Sequence, residues 1–416
     1  MTVSTNIKCD VCGHTFTIKS QMDDSIFAYD WPIEIVCPEC SNHIALHMNY
    51  PDGIKPSSYI VKEDGKTHIG YSATLPILSE IYYKEGIGSF NPFYSAYMNL
   101  CGLYGIAVIE KHKITIAKII NGIIPYKSLM IELLPFVKLD GNPEYLLNKL
   151  AVYFKQKRGE KRVTANCLEI YNDFIETIFN ALSTAEYIKQ RSSYMLELRN
   201  FVDDASTEQL QQLLDCASPF QDIDKWLISS AYPYIADIVN HIEQYLPATF
   251  FSSIGAFSIP HAGNLNILTI DNRQVSDDYA RGFEELMKIV PFMAAIHNLK
   301  HNGDCNHYKE GEEEYTNALE KFVNKTNGDK KKEIYNSYPS LKEYLEYTIE
   351  NHIRNGKNHE DEVYDVKTQN IAYHFNANRA DAIHNERLID VSFRVYLQLV
   401  VMMEITILIN YIKKKL

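Results

Sequence analysis

Cys9-Asp-Val-Cys12 and Cys37-Pro-Glu-Cys40 each set two thiols three residues apart, with 24 residues between the pairs. A Cys-x-x-Cys turn aims both sulfurs at one centre, and two such turns complete a tetrahedral thiolate site for zinc. Four thiolates leave no open position, so an ion there would be structural rather than catalytic. Two disulfides or a redox pair are the competing readings. The opening MTVSTNIKCD lacks the apolar core of a secretory signal, which argues against disulfides, and a redox site uses one such pair rather than two. A second chemistry lies in Arg354-Asn355-Gly356-Lys357-Asn358-His359. A guanidinium can hold a phosphate through two parallel hydrogen bonds, and an imidazole can move a proton near neutral pH. Together they are equipped to cleave a phosphodiester.

The elements that must position these groups follow from periodicity and turn chemistry. Gly13 follows the first knuckle, where a positive φ is often needed, and Pro38 stiffens the second. The alternating runs HTFTIK, IEIV and HIALHM predict strands that carry the knuckles. Residues 1–50 therefore resemble a zinc ribbon. His14, His43 and His47 lie near it and read as surface or packing residues. At the other end, SLKEYLEYTIENHI (340–353) predicts an amphipathic helix that closes on Arg354. Residues five apart on a continuing helix splay by about 140°. Gly356 and Asn358, both poor helix formers, are expected to end the helix and turn His359 back.

The Arg-polar-x-x-x-His pattern, with four residues between Arg354 and His359, resembles the signature of the HEPN superfamily. That resemblance implies a four-helix bundle, and four helices are expected at about 276–301, 312–325, 340–355 and 382–411. It further implies a metal-independent endoribonuclease of phage defence or a toxin, acting on RNA. Two copies of the motif would face each other across a homodimer seam, supplying both a base and an acid. Arg354 would then stabilise the phosphorane, His359 would move protons, and Asn355 would orient either group. A phage-derived or protein trigger is an expected partner. With 14 His in the chain a chance match is easy, and Arg379-Ala-Asp-Ala-Ile-His384 is one. There Ala380 follows the Arg, and the pair is expected at the surface where the last helix opens. Two other readings stay open: a non-catalytic HEPN-type regulatory module, and a zinc-ribbon nucleic-acid adaptor in which the Arg–His spacing is coincidence.

Composition bounds the rest. The chain has 416 residues, 46% hydrophobic and 23% charged, a folded profile with room for two or three domains. A net charge of −12 argues against a general nucleic-acid coat, so any RNA contact needs a local basic patch. The apolar run 388–412 is interrupted by Asp390, Arg394, Gln398 and Glu404, which fits a core helix and not a membrane span. A cytoplasmic location is expected.

The fold class expected is mostly α: a small N-terminal β zinc ribbon (1–50), an α-rich middle or sensor region with some strands (51–270), and a HEPN-like helical bundle (271–416). In the middle region helices are expected at 91–105, 142–157, 168–190 and 207–216. The run at 105–120 predicts a buried strand pair or a helix. No phosphate loop, GxSxG or HExxH occurs, and the basic turn 155–162 reads as a solvated loop. Cys101, Cys167 and Cys216 read as small buried hydrophobes, and the ligand-rich stretch 297–307, with Cys305, as a helix stop and turn.

Overall fold

The computed structural model describes residues 2–22, 29–50, 53–62, 67–73, 79–84, 104–154, 166–183, 193–217, 222–250, 267, 270–306, 309–310, 313–314, 318–358, 362–366, 368–374 and 382–416. The expected mostly-α architecture holds, with strands at the N-terminus and helices through the C-terminal region. His359, Arg379, residues 91–103 of the helix expected at 91–105, and the basic turn 155–162 lie outside the described residues.

Among the described residues up to 84 there are eight strands: β1 (Thr2–Lys8), β2 (Thr15–Met22), β3 (Tyr29–Val36), β4 (His43–Tyr50), β5 (Gly53–Ile54), β6 (Ile60–Val61), β7 (Thr67–Ala73) and β8 (Ser79–Lys84). They form a sheet of order β6-β1-β2-β7-β8 and another of order β3-β4-β5. Period-two burial shows on β4, where Ile44 and Leu46 are buried, while β2 buries Phe16, Thr17 and Ile18 in a row, with the Thr17 hydroxyl donating to Asn6 at 2.8 Å. The β content is wider than the knuckle strands alone. The turn-rich segment 50–75 holds β5 to β7, and β7 pairs parallel to β2, a long-range pairing that local sequence does not announce.

Helices follow: α1 (Ile106–Ile123), α2 (Lys127–Leu133), α3 (Pro143–Leu150), α4 (Cys167–Leu182), α5 (Ser193–Asp204), α6 (Thr207–Ala217), α7 (Ile223–Trp226), α8 (Tyr232–Asn240), α9 (Ile242–Tyr245) and α10 (Asn272–Asn302). Their starts are chemically marked. Asn142 and Asn166 accept from the backbone N–H of Glu144 and Glu169, each at 3.0 Å. Ser206 and Gln209 cap α6 reciprocally, at 3.2 and 3.0 Å. The two-residue strands β9 (Lys309–Glu310) and β10 (Glu313–Glu314) come next, then α11 (Ala318–Val323), α12 (Asn327–Ser337), α13 (Pro339–Leu345) and α14 (Asn351–Asn358). A three-stranded antiparallel sheet, β11 (Glu362–Asp365), β12 (Asn370–His374) and β13 (Ile383–Arg387), precedes the last helix, α15 (Leu388–Lys415).

Three expectations around the motif change. The single helix at 340–355 is two, α13 and α14, because the chain breaks at 346–350, with Tyr347 at φ +66°. Gly356 does not stop the helix, since α14 runs through it to Asn358. The last helix starts at Leu388 rather than 382, so His384 sits on a strand and not at a helix opening.

The described residues group into two compact units: Met1–Ile120 with His241–Tyr279 and His352–Tyr396, and Asn121–Asn240 with Ala280–Asn351 and Leu397–Leu416. In the second unit, the polar groups of α15 are each answered. Gln398 donates to the Thr348 carbonyl at 2.9 Å, and Tyr344 donates to Glu404 at 2.7 Å. Two segments, Ile106–Phe136 and Leu388–Lys415, are long and apolar enough to cross a bilayer by length and composition. In the latter, 94% of the most apolar window is buried inside the protein, as a core helix requires.

In the first unit, α14 lies close on β12. A Cβ built on Gly356 would stand 2.6 Å from the Cβ of Tyr373 and 3.1 Å from its Cα, so only glycine permits this approach. Gly356→Ala is expected to cost about 1–3 kcal/mol through overpacking. Within a helix the same change ordinarily gains up to about 1 kcal/mol, so the sign of the shift in urea midpoint checks the contact.

Candidate functional site

The two cysteine pairs occupy the β1–β2 and β3–β4 loops, and the loops are built alike. Cys9 N–H donates to the His14 carbonyl at 2.9 Å, and Cys37 N–H to that of Asn42 at 2.8 Å. Four residues after each first cysteine, Gly13 and Ser41 donate back to Cys9 and Cys37, and both have positive φ, +72° and +60°. Gly13 takes that conformation without strain, and Ser41 is an uncommon non-glycine occupant. Asn42 Nδ2 donates to Asp10 Oδ1 at 3.1 Å, tying one knuckle to the other.

The sulfurs of Cys9, Cys12, Cys37 and Cys40 all lie within 4.8 Å of one another, a group that could hold a metal ion. Cys9 and Cys37 are buried, whereas Cys12 and Cys40 are exposed. Burial pushes the Cys37 thiol up to about 12. At Cys9 burial acts in the same direction, yet the N–H groups of Cys12 and Val11 and the neighbouring thiols outweigh it and hold the group at about 7. One sulfur can ionise readily, and further negative charge in the cluster needs a cation beside it.

Arg354 and Asn355 lie in α14, both half-buried, and Arg354 Nη1 donates to Asn355 Oδ1 at 3.1 Å. His359 is the residue next after the helix's last, Asn358.

The sheet beside α14 has an unusual face. Register places Tyr373 opposite both Glu362 and His384, and Ile371 opposite both Tyr364 and Glu386, so these six side chains share one side. This is the covered side. Val363 and Ile383, on the other, are 61% and 41% exposed. The covered side sets Glu362, His384 and Glu386 around the buried Ile371 and Tyr373, while Val363 and Ile383 share the outer side with Asp365, His374 and Arg387. Tyr373 Oη and Ser276 Oγ are 3.2 Å apart. Lys357 Nζ is 3.0 Å from Asp277, and Asn272 donates to Glu362 at 3.5 Å.

His384 Nε2 lies 3.0 Å from Glu386 Oε1, which also accepts from Arg394 Nη2 at 2.7 Å. The His352 and His384 rings have centroids 5.3 Å apart. Burial alone would raise Glu386, but the His384 hydrogen bond and the Arg394 charge win and hold it below the ordinary carboxylate range. Asp390 goes the other way, raised by burial that Arg387, at 2.7 and 2.9 Å, only partly offsets. Sequence reasoning missed His352, Glu386 and Arg394 and set His384 aside as a surface residue. His384 is 27% exposed and Glu386 11%. Their one sequence signal is the charge alternation in Ile383-His-Asn-Glu-Arg387.

The stretch from His297 forms the turn expected of it: Asn298 Nδ2 donates to the Cys305 carbonyl at 3.0 Å, and Gly303 has φ +74°. Among the described residues the four N-terminal cysteines are the group of metal-binding side chains.

Fold and site together define a mostly α protein with an N-terminal β segment bearing a four-cysteine group able to hold a metal. Comparison with protein-family profiles, with curated proteins and with solved structures finds no match. Cys37→Ser is expected to release bound metal and open the N-terminal strands to hydrogen exchange, with the helical circular dichroism largely kept. Elemental analysis of the wild-type protein in reducing buffer checks the premise: no bound metal would refute it.

Proposed function

We propose that the chain is an endoribonuclease of the HEPN type, an effector of phage defence or a toxin, carrying a structural zinc ribbon at its N-terminus. The ribbon reading is supported by the sulfur spacing. A tetrahedral zinc with bonds of about 2.3 Å sets thiolates about 3.8 Å apart. Cys9 and Cys40 are 3.7 Å apart, and Cys12 and Cys37 are 3.6 Å apart.

The observation that carries the ribonuclease reading is the placement of Arg354 and Asn355 on α14, bonded to each other, with His359 following directly. Arg354 would clamp the scissile phosphate and stabilise charge as phosphorus becomes pentavalent. His359 would move a proton between the reacting oxygens and solvent. Attack by the 2′-hydroxyl leaves a 2′,3′-cyclic phosphate and a 5′-hydroxyl. This chemistry draws on imidazole and guanidinium alone. Cleavage needs a base and an acid, and one imidazole cannot serve as both at once. The family resemblance supplies the second from a partner chain, in a homodimer whose motifs face each other. The ribbon and the middle helices would receive a phage-derived or protein trigger.

Arg354→Ala and His359→Ala are each expected to slow cleavage of a structured RNA by about 100- to 10,000-fold. Arg354→Lys is expected not to rescue, because an ammonium lacks the planar two-pronged contact. Arg379→Ala and His384→Ala are expected to leave the rate largely intact. The assay is run in excess EDTA with product ends identified. Loss of wild-type activity under chelation, or loss at Arg379 equal to that at Arg354, overturns the reading. In cells, expression is expected to be toxic and His359→Ala to relieve it.

A further inference from the structure

We propose that Cys216 and Cys305 form a redox-sensitive dithiol: a hydroperoxide oxidises Cys216, and Cys305 then closes a disulfide onto it. The inference concerns the second compact unit alone and stands apart from the ribonuclease reading. Three observations carry it. First, the two thiols meet although they are far apart in the sequence. Cys216 lies in the last turn of α6 and Cys305 in the turn after α10, and the Cys305 S–H donates to the Cys216 sulfur. Thiols already in contact need little backbone movement to join. Second, the two differ in access. Cys216 is not the buried hydrophobe that its helical context suggests; it lines an open groove of about 710 Å³ together with Asn306. Cys305, the residue before Asn306, is 0% exposed. An oxidant therefore reaches one sulfur first and finds the other directly behind it. Third, the turn that carries Cys305 is fixed. Gly303 N–H donates to the Leu299 carbonyl at 3.0 Å, Asn306 N–H to Asp304 Oδ1 at 2.8 Å, and Asn298 to the Cys305 carbonyl at 3.0 Å. The turn so held presents two donors to Cys216, the Cys305 thiol and the Asn306 side chain.

Those contacts give the two sulfurs different tasks. The hydrogen bond from Cys305 holds the Cys216 thiol below its ordinary value, against the burial that acts the other way. The same bond, with burial, pushes Cys305 up. Cys216 thus supplies the thiolate that attacks, and Cys305 keeps its proton until its neighbour is oxidised. Glu208 and Asp215 line the groove as well, and among the described residues no basic side chain does. That charge favours an uncharged hydroperoxide over an anionic oxidant such as glutathione disulfide.

The Cys216 thiolate attacks the outer oxygen of the hydroperoxide, and the O–O bond breaks. The leaving oxygen takes a proton from solvent. Cys216 is then a sulfenic acid, oxidised by two electrons, and the peroxide is reduced to an alcohol, or to water where it is hydrogen peroxide. The Cys305 sulfur next bonds to that of Cys216, the S–O bond breaks, and the departing hydroxide leaves with the Cys305 proton as water. A thiol reductant reverses the cross-link by exchange. While it lasts, it ties α6 to the end of α10.

The test treats the full-length protein, as purified, with hydrogen peroxide. Trypsin releases Cys216 within residues 200–225 and Cys305 within residues 301–309, neither containing another cysteine. After alkylation of the remaining thiols, mass spectrometry is expected to find these two peptides joined in most chains, and dithiothreitol to part them. Cys305→Ser is expected to lose the cross-link and to stop at a Cys216 sulfenic acid that dimedone traps. Cys216→Ser is expected to leave Cys305 reduced. In denaturing urea the preference for this pair is expected to vanish, because the fold makes it.

Recovery of Cys216 and Cys305 on separate, alkylated peptides after peroxide treatment overturns the inference. So does an equal yield of this pair in urea, or a Cys216 that stays a thiol in Cys305→Ser under the same dose. Should Cys305→Ser fail to fold, the wild-type time course decides. Dimedone added during oxidation is expected to capture Cys216 at the expense of the cross-link, and capture at Cys305 instead overturns the order of attack. None of these readouts depends on RNA cleavage.

Discussion

The close approach of α14 to β12 sets where the groups on the sheet-facing side of this helix can lie. With no side chain at Gly356, the helix backbone comes down on the Cα and ring of Tyr373. Tyr373 is in turn fixed from the far side by Ser276. A helix seated this tightly cannot slide by a fraction of a turn without a clash, because packed interiors lack the free volume to absorb it. His352 then meets His384, and Lys357 meets Asp277, through one shared geometry. The guanidinium of Arg354 inherits its aim from a helix of only eight residues, which would be unstable alone and takes its order from this packing.

Charge on the covered side of the sheet is arranged in small neutral groups rather than left to solvent. Glu386 is shared by His384 and Arg394, Asp390 is held by Arg387, and Lys357 stands within 3.9 Å of Glu362. Pairs of this kind contribute little net stability, because the desolvation of two charges offsets most of their attraction. Removing one partner is another matter and costs about 3–5 kcal/mol, since a charge is then buried alone. The opposite shifts of Glu386 and Asp390 show how local the balance is. Burial raises both, and only Glu386 has cationic partners strong enough to reverse it. The second carboxylate oxygen of Glu362 is buried and accepts no hydrogen bond among the described residues. An apolar sheet face would be more stable than this one, so stability alone does not account for it.

The sequence is legible where structure is local. Both knuckles, the capped starts of α3, α4 and α6 and the long α15 follow from spacing, capping chemistry and apolar content over short windows. It is illegible where the deciding partner is distant. Gly356 carries the composition of a helix stop, and only Tyr373, seventeen residues on, explains why glycine sits inside a helix. Strand β13 reads as the start of a helix for a related reason. Alternation is normally recognised by apolar residues facing in, and in Ile383-His384-Asn385-Glu386-Arg387 the inward residues are His384 and Glu386 while Ile383 faces out. The break between α13 and α14 has no Gly or Pro to announce it and is taken by Tyr347 at positive φ.

The N-terminal cysteines pose a different physical problem, which is charge rather than packing. Four sulfurs within 4.8 Å cannot all be thiolates in the absence of a cation, and the contrast between Cys9 at about 7 and Cys37 at about 12 expresses that conflict. A divalent ion would resolve it by drawing off the protons that repulsion and burial retain, so metal uptake must release protons and weaken as pH falls. The backbone is already shaped for this outcome. Each knuckle turns on a positive-φ residue four positions after its buried cysteine, and N–H groups point toward the sulfurs. Those donors lower the cost of thiolate charge in the same way that they shape the turn, so the local fold and the affinity for a cation have one origin. Among the described residues the strands around the knuckles bury short rows, Ile7 on β1, Phe16 to Ile18 on β2, Ile35 and Val36 on β3, and Ile44 and Leu46 on β4. Rows that short contribute little against the chain entropy of ordering loops, so a metal held by the four sulfurs would add a cross-link to the single Asn42–Asp10 hydrogen bond between the knuckles.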